Sequence, residues 1–206
     1  MNIVIVDYGI GNVASIQNML KKVGIDSQVS GSVADLENAG KIILAGVGAF
    51  DTCMQNLQRS GLRDVLDSKV IKEKTPVLGI CVGMQMLTHK SEEGTSPGLG
   101  WINGQVVKFN PAKMVVPEKV PHMGWSEVEK ATDSTLLKDL PTEPRFYFAH
   151  SYHAEIEDPS DVMLWTEYGY RFAAAVAREN IFGVQFHPEK SHRYGMQLLR
   201  NFATYP

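Results

Sequence analysis

Thr75-Pro76-Val77-Leu78-Gly79-Ile80-Cys81-Val82-Gly83-Met84-Gln85 is the stretch of this chain that decides its fold. An apolar strand ends in Gly-Ile-Cys-Val-Gly and a helical pattern follows, which is the spacing of a nucleophile elbow. A side chain at Gly79 or Gly83 would crowd the helix against the strand, and the residue between them is strained. The helix start points N–H groups and a partial positive charge at the sulfur. The sequence therefore predicts that Cys81 is a nucleophile.

The composition is that of an ordinary globular protein. The chain has 206 residues, of which 44% are hydrophobic and 21% charged, with a net charge of −3. This charge gives no broad basic surface for nucleic acid, and no apolar run is long enough to cross a membrane. The first residues lack a basic region and a cleavage site, so we expect no signal peptide. Two cysteines make no disulfide framework, which favours a cytoplasmic location.

The strand that delivers Cys81 belongs to a repeating pattern of strands and helices. Short apolar runs at 3–6, 41–44 and 76–80 predict buried parallel strands. Helical spacing predicts a helix over 13–23 and a short helix capped by Ser32 with Asp35. A second long helix is predicted to carry the following apolar residues: Met54, Leu57, Leu62, Val65 and Leu66. This rhythm indicates an α/β fold with a mostly parallel sheet flanked by helices.

The second half of the chain is richer in strands. Short strands are predicted at 104–109, 145–154, 161–167, 172–177 and 181–186, a surface excursion at 111–121, and a closing helix at 195–205. These strands predict an antiparallel addition to the parallel sheet. No linker divides the chain, so we expect one domain over 1–206.

A cysteine nucleophile needs a base, and His187 is the best placed of six histidines. It ends a predicted strand, and Pro188 favours an extended conformation there. Functional residues of open α/β sheets gather at the carboxyl ends of strands. Glu189 lies two positions further on and could orient the imidazole. Cys53 sits among helix residues without such a setting and is interpreted as a structural cysteine.

An acyl intermediate also needs an oxyanion hole. Gly46, Val47 and Gly48 follow a buried strand, and the glycines leave the backbone free to aim N–H groups at the site. The N–H group of Val82, next to the nucleophile, is the other predicted donor.

Metal binding is disfavoured. His150 and His153 are three residues apart in a predicted strand and should point to opposite faces. No cysteine or acidic cluster completes a ligand set, so we expect neither a metal nor another cofactor.

Together these motifs resemble the class I, triad-type glutamine amidotransferases over nearly the whole chain, with a flavodoxin-like fold. Within that family they resemble the glutaminase subunits of a histidine-biosynthetic synthase. The segments that carry the resemblance are Asp7-Tyr8-Gly9-Ile10-Gly11-Asn12, Gly46-Val47-Gly48-Ala49-Phe50, Gly79-Ile80-Cys81-Val82-Gly83-Met84-Gln85, Ser91-Glu92-Glu93-Gly94, Pro121-His122-Met123-Gly124-Trp125, and Gly183-Val184-Gln185-Phe186-His187-Pro188-Glu189-Lys190-Ser191.

The resemblance implies a role for each matching residue. Cys81 attacks the side-chain amide of glutamine, His187 moves the proton and Glu189 orients His187. The resemblance further implies substrate contacts at Gln85, Glu93, Ser151 and Tyr152, and partner contacts at Asn12, Trp125, Tyr147 and Lys190. It implies a heterodimer with a (β/α)₈-barrel cyclase subunit, through which ammonia travels to its acceptor.

The chain departs from the family pattern at two positions. Ala45 stands where the family usually has proline, and Ser126 where asparagine is common. Three alternatives stay open at this point. One is a paralogous glutaminase that supplies ammonia for amidino-sugars of surface polysaccharides. Another is a peptidase-like cysteine hydrolase, although such enzymes commonly carry histidine where this chain has Val82. The third is a non-catalytic binding module.

Overall fold

The computed structural model describes residues 2–206. Its central element is a sheet of eight strands in the order β2-β1-β3-β4-β12-β11-β10-β7. In chain order these strands are β1 (Ile3–Val6), β2 (Gln28–Ser30), β3 (Lys41–Gly46), β4 (Val77–Cys81), β7 (Glu129–Lys130), β10 (Val162–Tyr168), β11 (Tyr170–Arg178) and β12 (Ile181–Val184). The pairs from β2 to β12 are parallel, and those from β12 to β7 are antiparallel. The predicted α/β class with antiparallel additions is therefore confirmed.

Two small antiparallel sheets lie beside the main one. One pairs β5 (Gly104–Lys108) with β9 (Tyr152–Ile156), and the other pairs β6 (His122–Glu127) with β8 (Arg145–His150). The predicted single strand over 145–154 was wrong, because the chain breaks at Ser151 and its two halves join different sheets. The sequence pattern also missed β2, β6 and β7, which are short or largely exposed and so lack a buried apolar face.

Helices cover the sheet. They are α1 (Val13–Lys22), α2 (Val33–Glu37), α3 (Phe50–Arg59), α4 (Arg63–Asp67) with a π-helical continuation (Ser68–Lys72), α5 (Val82–Met86) and α6 (His192–Thr204). Single 3₁₀ turns occur at Pro111–Lys113, Thr135–Leu137, Pro159–Asp161 and Pro188–Lys190. Helix α1 contacts α6, whereas α3 contacts α5, which also packs on β3, β4 and β12.

The helix predictions held in position but not in every detail. The predicted second long helix is two helices, because Gly61 between them has φ of +72°, a left-handed conformation that stops a helix. Ser32 precedes α2 as predicted, but its side chain makes no capping hydrogen bond. Instead Asp35 accepts hydrogen bonds from Ser30 and Gln28, which ties α2 to β2.

An aromatic pair fixes the end of β12 against β8. The rings of Phe146 and Phe186 are stacked at 3.8 Å with 14° between their planes, and both side chains are fully buried. Because Phe186 directly precedes His187, this stack also fixes where the chain leaves the sheet.

We therefore expect the two rings to be energetically coupled. In a double-mutant cycle of Phe146→Leu and Phe186→Leu, the coupling in the free energy of unfolding should be about 0.5–1.5 kcal/mol. Urea denaturation followed by circular dichroism measures it. Strict additivity of the two substitutions would contradict the stack's contribution.

Candidate active site

The turn after β4 has the geometry of a nucleophile elbow. Cys81 ends the strand with φ of +55° and ψ of −114°, and α5 begins at the next residue. A Cβ atom on Gly79 would lie 2.7 Å from the carbonyl oxygen of Gly83, and one on Gly83 would overlap the carbonyl oxygen of Leu44. Strand and helix thus approach too closely for side chains at either position, and the cysteine between them carries the backbone strain.

His187 lies at the end of the neighbouring strand. Strands β12 and β4 are parallel with Val184 opposite Ile80, so the residues that follow each strand lie side by side. The backbone N–H group of His187 donates to the carbonyl oxygen of Tyr147 at 2.8 Å, and the hydroxyl group of Ser191 donates to the carbonyl oxygen of His187 at 2.6 Å. The histidine backbone is therefore held from both sides.

Glu189 reaches back to the imidazole from the 3₁₀ turn that follows. Its Oε1 atom lies 2.9 Å from Nδ1 of His187, and both side chains are buried. Because this contact occupies Nδ1, Nε2 is the ring nitrogen left to face Cys81. Cysteine, imidazole and carboxylate thus form the predicted order of contacts.

The imidazole is tuned by opposing effects. Burial by itself lowers the pKa of His187, but the hydrogen bonds to Cys81 and Glu189 and the charges of these two groups outweigh burial and raise that pKa to about 9. The pair is therefore organised to hold a protonated imidazole beside the sulfur.

A cavity of about 500 Å³ opens onto the sulfur. Its walls come from the elbow, the segment after β3, the junction of β8 and β9, and the region before β6. The lining residues are Val47, Gly48, Cys81, Val82, Gln85, Glu93, Pro121, Met123, Ala149, His150, Ser151, Tyr152, His187 and Lys190. All four predicted substrate contacts line this cavity.

Two of these polar side chains are held by hydrogen bonds. Oε2 of Glu93 accepts from the backbone N–H group of Phe50 at 2.8 Å, at the start of α3. Nε2 of Gln85 donates to the carbonyl oxygen of Tyr152 and to Oε1 of Gln185, each at 3.0 Å. Each side chain therefore has one oxygen that these bonds leave free.

The predicted oxyanion segment follows β3, where Gly46 pairs with Cys81. Val47 and Gly48 line the cavity, and Gly48 has φ of +87°. Gly46 does not line it but lies against α5, where a Cβ atom would be 2.9 Å from the nitrogen of Gly83. The Cys53 thiol donates to the carbonyl oxygen of Val47 at 3.5 Å.

The predicted partner contacts form a surface cluster, except for Asn12. Trp125 is 43% exposed, packs edge-on to Tyr147 and stacks on His192 at 5.5 Å. The Lys190 ammonium lies 5.7 Å from the centre of the Tyr147 ring. Asn12 is half-buried just before α1 and does not line the cavity.

Three neighbours of the site were not predicted. Gln185 approaches Cys81, with its Nε2 atom 3.9 Å from the sulfur. Strand alternation could have indicated it, because residues 185 and 187 share a face. His122 and His150 are buried and hydrogen-bonded to each other at 3.1 Å, and no pattern in the sequence pairs them.

His150 and His153 do not point apart as predicted. Both rings contact Phe109, at centroid distances of 5.3 and 4.8 Å, because the break at Ser151 resets the strand alternation. Within residues 2–206, no group of three or more His, Cys, Asp or Glu side chains is arranged to hold a metal ion. The same residues contain no helix long and apolar enough to span a membrane.

The fold and this site define a known class of protein. Residues 4–205 match the family described as glutamine amidotransferase class-I, and the chain belongs to the class-I glutamine amidotransferases. Among solved structures it is similar to PurLQS from Thermotoga maritima (TM-score 0.74, 18% identity, covering 99% of this chain and 98% of that one). It is also similar to a putative GMP synthase protein from Thermoplasma acidophilum (TM-score 0.69, 23% identity, 98% and 92% covered). At these identities the structures support the fold alone.

Sequence relatives narrow the class to particular proteins. The chain is 52% identical over 201 residues to imidazole glycerol phosphate synthase subunit HisH 2 of Pseudomonas aeruginosa, covering 98% of each chain. It is 50% identical over 200 residues to subunit HisH of the same synthase from Leptospira interrogans, covering 97% of this chain and 98% of the relative.

The carboxylate of Glu189 should control the protonation of His187. We expect Glu189→Gln to lower the pKa of His187 from about 9 towards its ordinary value of about 6.5, since it removes a charge that favours the imidazolium. Imidazole NMR titration measures the change, with Glu179→Gln, an exposed carboxylate paired with Lys74, as the control. An unchanged pKa would show that Glu189 does not perform this role.

The same shift predicts a pH-dependent stability. A histidine whose pKa is raised on folding stabilises the protein fully below its unfolded pKa of about 6.5. This stabilisation is lost as the pH rises through about 9. The part of the stability difference between the wild type and Glu189→Gln that comes from this charge should disappear over that interval, as measured by urea denaturation at several pH values.

Proposed function

We propose that this chain is the glutaminase subunit of an imidazole glycerol phosphate synthase, acting in histidine biosynthesis in the cytoplasm as one domain over 1–206. The observation that carries the proposal is the contact sequence Cys81, His187 and Glu189 at the base of a polar cavity. Relatives named as HisH subunits, about half identical over nearly the full length, support the choice of synthase.

In the proposed reaction the sulfur of Cys81 attacks the side-chain carbonyl carbon of glutamine. The C–O π electrons move onto oxygen, and the tetrahedral intermediate collapses as the C–N bond breaks. His187 gives its proton to the leaving nitrogen, so ammonia departs and a thioester remains. Water then attacks the thioester while His187 takes its proton, and glutamate and the Cys81 sulfur are regenerated. Glu189 holds the imidazole in place throughout.

The cavity walls suit each part of glutamine. Glu93 offers a carboxylate oxygen to the substrate's α-ammonium group, a charge-assisted pairing. Gln85, Ser151 and Tyr152 line the remaining wall and are proposed to hold the substrate's polar ends. The developing oxyanion is proposed to receive N–H groups from Val82 and from the segment Gly46, Val47 and Gly48.

We propose that the mouth of the cavity docks on a (β/α)₈-barrel cyclase subunit to form a heterodimer. Val47, Met123 and Trp125 are exposed apolar side chains at or near this mouth, and Lys190 adds a charge beside them. A partner that covers this surface would receive ammonia before it escapes to solvent. Asn12 is proposed to lie at the edge of the same interface.

Removal of the nucleophile should abolish ammonia release. In the complex with the cyclase subunit, Cys81→Ala should lower glutaminase activity by at least about 10⁴-fold, because no covalent intermediate can form. Glutamate production measures this, and size-exclusion chromatography checks that the complex persists. A glutamine-analogue affinity reagent should label Cys81 and leave the fully buried Cys53 unmodified. Wild-type-like turnover in Cys81→Ala would sink the mechanism.

Trp125 should contribute to partner affinity. We expect Trp125→Ala to weaken binding of the cyclase partner by about tenfold or more, since exposed aromatic residues at an interface centre act as anchors. The matched control is Ile71→Ala, whose side chain is 42% exposed on the π-helical turn after α4. Isothermal titration calorimetry compares the two, and equal losses of affinity would refute the assigned surface.

The acceptor of ammonia decides the pathway. With the cyclase subunit present, the histidine-pathway nucleotide should stimulate glutamine hydrolysis, which a coupled glutamate assay measures. Complex formation without stimulation would contradict the histidine role and favour an amidino-sugar pathway for surface polysaccharides.

A further inference from the structure

A line of hydrogen bonds runs from the surface strand β6 to the wall of the cavity. The hydroxyl group of Ser126 lies 2.8 Å from Nε2 of His122, and Nδ1 of His122 lies 3.1 Å from Nε2 of His150. Nδ1 of His150 lies 2.7 Å from the carbonyl oxygen of Tyr152. We call these four groups the imidazole chain.

The geometry fixes the direction of every bond in the imidazole chain. A carbonyl oxygen only accepts, so His150 must carry its proton on Nδ1. Its Nε2 atom is then an acceptor, and His122 must donate from Nδ1. That leaves Nε2 of His122 to accept from the Ser126 hydroxyl group. This assignment requires both rings to be neutral, and burial lowers the pKa of His122 to about 4 and that of His150 well below its ordinary value.

Packing holds the central ring in this orientation. His122 is stacked between Phe148 at 4.7 Å and Tyr168 at 4.0 Å, with interplanar angles of 18° and 21°. Only 1% of its surface is exposed. An alternative ring position would have to break both stacks.

The inner end of the chain continues to the nucleophile. The carbonyl oxygen of Tyr152 also accepts from Nε2 of Gln85, whose second hydrogen goes to Oε1 of Gln185. With that oxygen engaged, Nε2 is the Gln185 atom that faces the sulfur of Cys81. The amide nitrogen of Gln85 is therefore saturated, and its Oε1 atom remains as the acceptor available at the cavity.

We propose that Ser126, His122 and His150 are positioning residues for the amide substrate, an inference that rests on the proposed glutaminase function. Their one-way chain holds the Tyr152 carbonyl oxygen, and through it the Gln85 amide, so that Gln85 presents Oε1 to an N–H donor of the substrate. Reversal of the chain would place a lone pair of His150 against the Tyr152 carbonyl oxygen and displace this wall. Its outer end, Ser126, adjoins Trp125 on the strand proposed to meet the partner.

Kinetics of the complex tests the positioning role. His122→Phe retains a flat ring for stacking but removes both nitrogens, and should raise KM for glutamine about tenfold while kcat changes less than about threefold, the effect of one lost hydrogen bond. Ser126→Ala should raise KM by about threefold, and Ser126→Thr, which keeps the hydroxyl group, should restore it. Tyr168→Phe is the control, because it keeps the stacked ring and loses only a hydroxyl group bonded to Lys119.

Unchanged KM in both His122→Phe and Ser126→Ala, with an active wild type, would overturn the positioning role and leave the glutaminase function intact. If His122→Phe does not fold, as judged by circular dichroism, the half-buried Ser126 variants decide the question alone. A wild-type complex without glutaminase activity would instead overturn the proposed function.

The proton positions can be tested without any activity. Long-range ¹H–¹⁵N correlation spectra of imidazole-labelled wild-type protein should show His122 and His150 as Nδ1–H tautomers. In Ser126→Ala the signal of Nε2 in His122 should shift, because it loses its donor. An Nε2–H tautomer at either ring in the wild type would overturn the proposal.

Discussion

The parallel pairing of β4 with β12 is the constraint on which the site depends. The two strands are about a hundred residues apart in the chain, yet their register sets Val184 opposite Ile80. The elbow cysteine and the strand carrying Gln185 and His187 therefore emerge side by side at the carboxyl edge of the sheet. Strand β3, on the other side of β4, brings the oxyanion segment to the same edge.

This sheet edge requires close backbone contact. The helix after the elbow lies so near to β3 and β4 that Gly79 and Gly83 have no room for a side chain, and Cys81 takes a positive φ. The strain exposes the sulfur to the cavity, while the buried core beneath compensates for its cost. The stack of Phe146 on Phe186 fixes the neighbouring strand end in the same way.

Buried histidines beside one cavity have opposite properties because their partners differ. His187 contacts a sulfur and a carboxylate, which favour its protonated form despite burial. His122 and His150 contact only each other, a hydroxyl group and a carbonyl oxygen, so burial keeps them neutral. A neutral imidazole can pass on the direction of a hydrogen bond, whereas a charged one donates from both nitrogens. One residue type thus supplies both the acid–base group and the proposed positioning chain.

The sequence by itself determined the α/β fold and the Cys81 elbow, because apolar strand runs and glycine spacing are local signals, and it indicated His187 with Glu189 through a strand end followed by proline. It missed β6, merged β8 with β9 and expected His150 and His153 to diverge. Only the tertiary structure decided these points, since the break at Ser151 and the pairing of exposed strands depend on contacts between distant segments. The proton directions through His122 and His150 likewise exist only once burial has removed water from both rings.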